Sequence, residues 1–172
     1  MKKSFLIILL AAFSVGTTFA QQDKSKRASP PAEVSTTTTS GLTITINYSQ
    51  PSVKGRTIGK EIAPYGKVWR TGANEATIFE VNKDVTVEGK ALKAGKYSLY
   101  TIPDQNSWVI IFNKQIGQWG TQYAEAEDAL RISVKPEVSS SFQEKMTFEI
   151  SKQGNVSLLW GKTKVSFNVR SK

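Results

Sequence analysis

Trp69-Arg70-Thr71-Gly72-Ala73-Asn74-Glu75 places an indole, a guanidinium, a primary amide and a carboxylate within seven residues. Arginine donates in a planar fork that matches carboxylates, asparagine and glutamate accept from hydroxyls, and tryptophan offers a stacking face. That mix can bind a polar ligand. It can also serve the fold alone, with Arg70 and Glu75 paired to pin the loop, Trp69 in the core and Asn74 at a turn. Just upstream, Ser49 to Lys67 has little strand pattern and carries Pro51, Gly55, Gly59, Pro64 and Gly66. Long ordered loops of this kind are often functional, and Arg56 and Tyr65 lie on this one.

A second chemistry-rich stretch runs from Asn113 to Tyr123, where Gly117 and Gly120 bracket Gln118-Trp119. An indole on a turn is either an exposed platform of the kind that stacks on sugars or a lid folded back over a sheet edge. Trp108 and Trp160 sit inside strand patterns and read as core. The candidate ligand-binding set is therefore Arg56, Tyr65, Trp69, Arg70, Asn74, Glu75, Trp119 and Lys162, converging at one end of the fold.

The chain has neither cysteine nor histidine, so thiol chemistry, disulfides, zinc fingers and imidazole-based catalysis are excluded. The one carboxylate pair in the candidate region is Glu61 and Glu75. Glycosidase-type hydrolysis would require one of the two to be held protonated. Glu125, Glu127 and Asp128 read as a solvated helix face. Asp104 and Asp128 lack partners at calcium-loop spacing. Gly161-Lys162-Thr163 resembles the end of a phosphate loop, but Val156 stands where the first glycine belongs, and a hairpin turn is expected there. Asn47-Tyr48-Ser49 and Asn155-Val156-Ser157 match the glycosylation sequon but lie in or beside expected strands. No catalytic residue, metal ligand or cofactor is assigned.

The elements that position these residues have a period of two. Leu42, Ile44, Ile46 and Tyr48 alternate with Thr43, Thr45 and Asn47, and the pattern recurs at Val85/Val87, Leu130/Ile132/Val134, Met146/Phe148/Ile150, Val156/Leu158/Trp160 and Val165/Phe167/Val169. Turn residues separate the runs at Asn82-Lys83-Asp84, Glu88-Gly89-Lys90, Ala94-Gly95-Lys96, Pro103 to Asn106 and Gln153-Gly154-Asn155. Trp108 to Phe112 is apolar throughout and predicts a strand covered on both faces. Only Gly120 to Leu130 has helical composition, enough for two turns. About nine short strands and at most one short helix predict an all-β antiparallel sandwich.

Met1 to Ser4 is a positive n-region, Phe5 to Val15 an apolar run, and Thr18-Phe19-Ala20 a small-residue cleavage site. This is the layout of a signal peptide cut after Ala20, giving a periplasmic or secreted product with no transmembrane segment after cleavage. Residues 21–40, rich in Gln, Lys, Ser, Pro and Thr, read as a flexible leader passing into an extended edge segment. Residues 41–172 read as a single domain. Of the 172 residues, 23 are Lys or Arg and 14 Asp or Glu. These bases are scattered, which argues against nucleic acid and for solubility or attraction to anionic surfaces and glycans.

Ala28 to Pro31, YSQPSVKGR (Tyr48 to Arg56), PYGKVWRTGANEAT (Pro64 to Thr77), AGKYSLYTIP (Ala94 to Pro103), NKQIGQWGTQY (Asn113 to Tyr123) and LWGKTKVSF (Leu159 to Phe167) together resemble an exported bacterial family, domain of unknown function 2911. The resemblance runs from about Ala28 to Val169. It implies export and one all-β domain and brings no activity, cofactor or catalytic residue. From the residues alone, the expected function is a non-catalytic binding module for a polar or anionic ligand, such as a glycan or a cell-envelope component. A structural or protein-interaction domain is the first alternative, and a carboxylate-dependent glycoside hydrolase the second.

Overall fold

The alternating segments fold as strands and bury their apolar positions on one side, as a half-buried strand must. A computed structural model describes residues 23–172; the signal peptide expected at 1–20 lies outside the described residues. In chain order the strands are β1 (Pro31–Thr37), β2 (Thr43–Ser49), β3 (Thr77–Val81), β4 (Val85–Val87), β5 (Lys90–Leu92), β6 (Gly95–Ile102), β7 (Trp108–Asn113), β8 (Asp128–Val134), β9 (Glu137–Ile150) and β10 (Asn155–Ser171). They form a six-stranded sheet, β1-β2-β3-β6-β7-β8, and a four-stranded sheet, β5-β4-β10-β9. Every strand pairing is antiparallel.

The sheets enclose one apolar core, with Leu42 just before β2 and Ile44 and Ile46 of β2 facing it together with Phe79, Phe112, Phe148, Trp160 and Phe167. Apolar burial of this extent is the main favourable term in folding. The outer face of the six-stranded sheet carries a smaller cluster, Ala76, Tyr100 and Ile111, with Ile102, Val109 and Tyr123 against it. Trp108–Asn113 is thus covered on both sides, as its continuous apolar run requires. Among the described residues no helix is long and apolar enough to cross a membrane.

Two expectations need correction. First, the helical stretch at Gly120 to Leu130 forms only a single 3-10 turn, Glu125–Glu127, before β8 begins. Its backbone groups find partners outside a helix: Asn113 Nδ2 donates to Ala124 O at 2.8 Å, and Lys114 N to Glu127 O at 2.8 Å. Second, Gly161-Lys162-Thr163 is not a hairpin turn. β10 runs straight through it, and Gly161, at φ +58°, lies where the β9–β10 register shifts, so it marks a bulge. The hairpin lies at Gln153-Gly154-Asn155, as its turn residues predict. The ten strands in two antiparallel sheets make the all-β sandwich that about nine alternating segments predict.

The extended edge segment expected toward the end of residues 21–40 is β1. Pro31–Thr37 pairs along its length with Thr43–Ser49 and forms the edge of the larger sheet. A further 3-10 turn, Lys24–Lys26, precedes it. The long β2–β3 connection is ordered, as its composition predicts. It runs first along the edge of β9, with Met146 N donating to Pro51 O and Val53 N to Glu144 O, both at 2.9 Å. It then crosses the end of the sandwich, buries Val53, Ile62 and Ala63 in the core, and reaches β6 at Thr101.

Candidate functional site

Trp69 continues alongside β6 beyond the point where β3 stops. Its backbone N donates to Thr101 O at 2.7 Å, and Thr101 N donates back at 2.9 Å. That pairing fixes the indole against the core, stacked on Trp160 at 5.2 Å and 6° and edge-on to Trp108 at 6.4 Å. Trp108 and Trp160 are themselves buried, as their strand positions predict.

From Thr71 the chain bulges outward and returns at Thr77. Thr71 and Asn74 hold positive φ of 50° and 60°. The Thr77 hydroxyl donates to Thr71 O at 2.8 Å, and the Thr71 hydroxyl to Thr101 Oγ1 at 3.1 Å. A Cβ on Gly72 would sit 2.7 Å from Thr77 Oγ1, so glycine is what lets the turn close. Asn74 Nδ2 donates to Ser29 O at 3.0 Å and to Ser49 Oγ at 3.2 Å, tying the turn to the N-terminal segment and the end of β2.

Glu75 does not pair with Arg70. It accepts from Arg27 at 2.8 and 3.0 Å, and Lys24 approaches at 3.1 Å. Partial burial pushes the Glu75 carboxyl up, but its own backbone N–H and the Arg27 and Lys24 donors outweigh burial and hold it at about 2. The ion pair that sequence reasoning placed inside the loop is made instead with residues more than forty positions away.

Arg70 is left over. Of the five arginines among the described residues, it is the one whose side chain makes no hydrogen bond or ion pair there. It is half-buried, and its stem lies against Gly120, where a Cβ would come within 2.6 Å of Arg70 Cδ. Trp69 and Arg70 form the wall between two clefts. One, of about 490 Å³, continues over Val68, Tyr100, Gly120, Thr121 and Tyr123. The other, of about 320 Å³, is lined on its far side by Arg56, Glu61 and Trp160.

In the smaller cleft Arg56 is held to its own turn, Nε on Val53 O at 3.1 Å and Nη2 on Ser52 O at 2.8 Å. Glu61 accepts from Thr57 N at 2.9 Å, and its own backbone N–H followed by that of Thr57 lowers its carboxyl below the usual range. Trp160 is 2% exposed, and its buried Nε1–H has no partner. In the larger cleft Tyr100 donates to Gln122 O at 3.0 Å, and Tyr123 donates to Asp128 at 2.7 Å. Burial, reinforced by Asp128, pushes the Tyr123 hydroxyl up to about 12, so it stays protonated.

The eight candidates therefore divide. Arg56, Trp69 and Arg70 come together. Asn74 and Glu75 lie behind them in the turn, engaged with the N-terminal segment. Tyr65 and Lys162 share a separate cleft with Asp104 and Val138; there Tyr65 covers Gly59, and Lys162 Nζ reaches Ser140 O at 3.3 Å. Trp119 is 47% exposed on the flank, and its neighbours Gly120 and Thr121 supply the lining of the larger cleft. Beneath Trp119, the Gln118 amide donates to Ser98 Oγ at 3.2 Å and Tyr100 Oη at 3.0 Å, anchoring this segment over the outer sheet face.

Sequence reasoning missed Glu61 as a neighbour of Arg56, and it missed the tyrosines. It also assigned Asp128 to a solvated face. Asp128 is instead gripped by Asn113, Tyr123 and Arg131 at 2.7–2.8 Å. The only available signal in the sequence was Tyr100, which directly follows Leu99 and breaks the alternation of Tyr97 and Leu99.

Glu61 and Glu75 line different clefts, and both are held below the usual carboxylate range, the opposite of what a general acid needs. Among the described residues no three His, Cys, Asp or Glu side chains gather where they could hold a metal ion.

Residues 29–169 match the family described as Protein of unknown function (DUF2911), and the chain belongs to that family. No curated protein and no solved structure matches it.

Proposed function

We propose that this is an exported, non-catalytic binding module whose ligand is polar or anionic, as glycans and cell-envelope components are, and that the ligand sits at Arg70. One observation carries the reading: the half-buried Arg70, lining two clefts, has no hydrogen-bond or ion-pair partner for its guanidinium among the described residues. A carboxylate or phosphate oxygen would gain a charge-assisted hydrogen bond there without displacing a protein partner. Clefts of a few hundred Å³ with a few convergent polar groups are the usual form of small-ligand sites. Export rests on the signal-peptide layout of residues 1–20, and N-terminal sequencing of the periplasmic or secreted protein should begin at Gln21.

Thermal melting against a panel of acidic glycans, uronates, phosphates and carboxylates tests the binding reading. A ligand at a hundred times its dissociation constant adds about 2.7 kcal/mol, several degrees for a domain of this size. The gain should vanish in Arg70→Gln. A hit that persists undiminished in Arg70→Gln places the site elsewhere.

A second reading, a protein-interaction domain, draws on β9, where Val138 is 86% and Phe142 55% exposed on an edge strand. It predicts that Val138→Ser, Phe142→Ser changes the size of the particle in solution while leaving small-molecule binding intact.

A further inference from the structure

The smaller cleft holds charges of both signs that have not closed on one another. Several neighbouring opposite charges elsewhere do close: Glu75 with Arg27 and Lys24, Asp128 and Glu125 with Arg131, Asp84 with Lys93. Arg56, Glu61 and Arg70 line one space, yet Glu61 forms no ion pair within 4.0 Å with either arginine. The two rim groups are restrained where they are. Two carbonyls of its own turn hold Arg56, and the Glu61 carboxylate accepts from Thr57 N and from its own backbone N–H. Groups restrained in advance lose little side-chain entropy when a ligand arrives.

We infer that this cleft accepts a ligand bearing both charges, an amino acid or short peptide with a free carboxylate for Arg70 and a free ammonium for Glu61. The inference rests on the binding reading above and narrows it. A phosphate dianion would face Glu61 across the same cleft, where like charges disfavour each other. A simple cation would leave Arg70 as it is. A neutral sugar would satisfy hydroxyl contacts but leave both charges without a counterpart. Because Trp69 and Arg70 also wall the larger cleft, an apolar or aromatic side chain beside the carboxylate has room among Val68, Tyr100 and Tyr123.

The test is titration of the full chain, read by tryptophan fluorescence and calorimetry, with Gly-Phe, N-acetyl-Gly-Phe, Gly-Phe amide and inorganic phosphate. Phe and Gly-Gly-Phe vary the spacing of the charges. The free peptide of best spacing should bind, and blocking either end should weaken it about tenfold or more. Glu61→Gln should abolish the preference for a free ammonium while sparing N-acetyl-Gly-Phe. Arg70→Gln should abolish the preference for a free carboxylate, and Arg70→Lys should restore part of it. If N-acetyl-Gly-Phe or phosphate binds as tightly as the free peptides, in an Arg70-dependent way, the two-charge inference is overturned and the anion site stands. If no probe binds at millimolar concentration while an acidic glycan binds through Arg70, the inference alone falls. If nothing in either panel binds, both fall.

Discussion

The turn Thr71–Ala76 and the Trp69-Arg70 step just before it are neighbours in one motif, and they differ in what their polar groups have to do. In the turn, the side chains of Thr71, Asn74 and Glu75 are all engaged inside the protein, and Gly72 is there because nothing larger fits. In the step, Trp69 is committed to the aromatic stack while the Arg70 guanidinium is committed to nothing. A chemistry-rich stretch of sequence is thus mostly architecture with one free functional group at its end. Residue types alone do not separate the two uses, because a satisfied carboxylate and an available one are spelled the same way.

Crowding the turn should have the largest effect. Gly72→Leu should destabilise the protein by about 3 kcal/mol, the upper part of the overpacking range, because the added atoms meet Thr77 Oγ1 and the Ser49 carbonyl. Urea unfolding would measure it, and a loss below 1 kcal/mol would mean the turn is softer than its contacts indicate. Next, Asn74→Ala removes both Nδ2 hydrogen bonds and puts alanine at φ 60°, for a loss of about 2 kcal/mol. Asn74→Gly should recover the backbone part of that loss and not the hydrogen bonds.

Glu75→Gln should cost less, about 0.5–1 kcal/mol, because the carboxylate is partly exposed and solvent screens it. The pH dependence gives this prediction a sign. The folded carboxyl at about 2 lies below its ordinary 4.5, so its contribution is complete above pH 4.5 and is lost as pH falls toward 2. The stability gap between the native protein and Glu75→Gln should close over that interval. A gap independent of pH would show that the ion pair with Arg27 is not its source. Smallest of all, Arg70→Gln should change stability by no more than about 0.5 kcal/mol, since it removes no protein contact of the guanidinium, while abolishing anion binding. If Arg70→Gln costs as much as Asn74→Ala, the contrast between turn and step is wrong.

Much of the fold was legible because strand burial repeats every two residues. Leu42, Ile44 and Ile46, or Val165, Phe167 and Val169, announce the core side of their strands without any neighbour in view. The candidate site was legible in part. Arg56, Trp69 and Arg70 share a cleft, but Tyr65 and Lys162 share another, and nothing local to the motif names Arg27 as the partner of Glu75. Gly161 was misread for a related reason: a positive-φ glycine serves a hairpin turn or a bulge equally well, and only the partner strand distinguishes them.

By itself the sequence determined an all-β domain, the buried side of each alternating strand, the exclusion of thiol and imidazole chemistry, and the short list of residues rich enough to form a site. Those are properties of residue type and local period, and they need no knowledge of what packs against what. Tertiary structure alone decided that the N-terminal segment neutralises Glu75, that Pro31–Thr37 pairs with β2, that residues 120–130 give up helix for β8, and that Arg70 faces two clefts unpaired. Each of these depends on a contact between distant parts of the chain, and whether a polar group is satisfied is a fact about its neighbours in space.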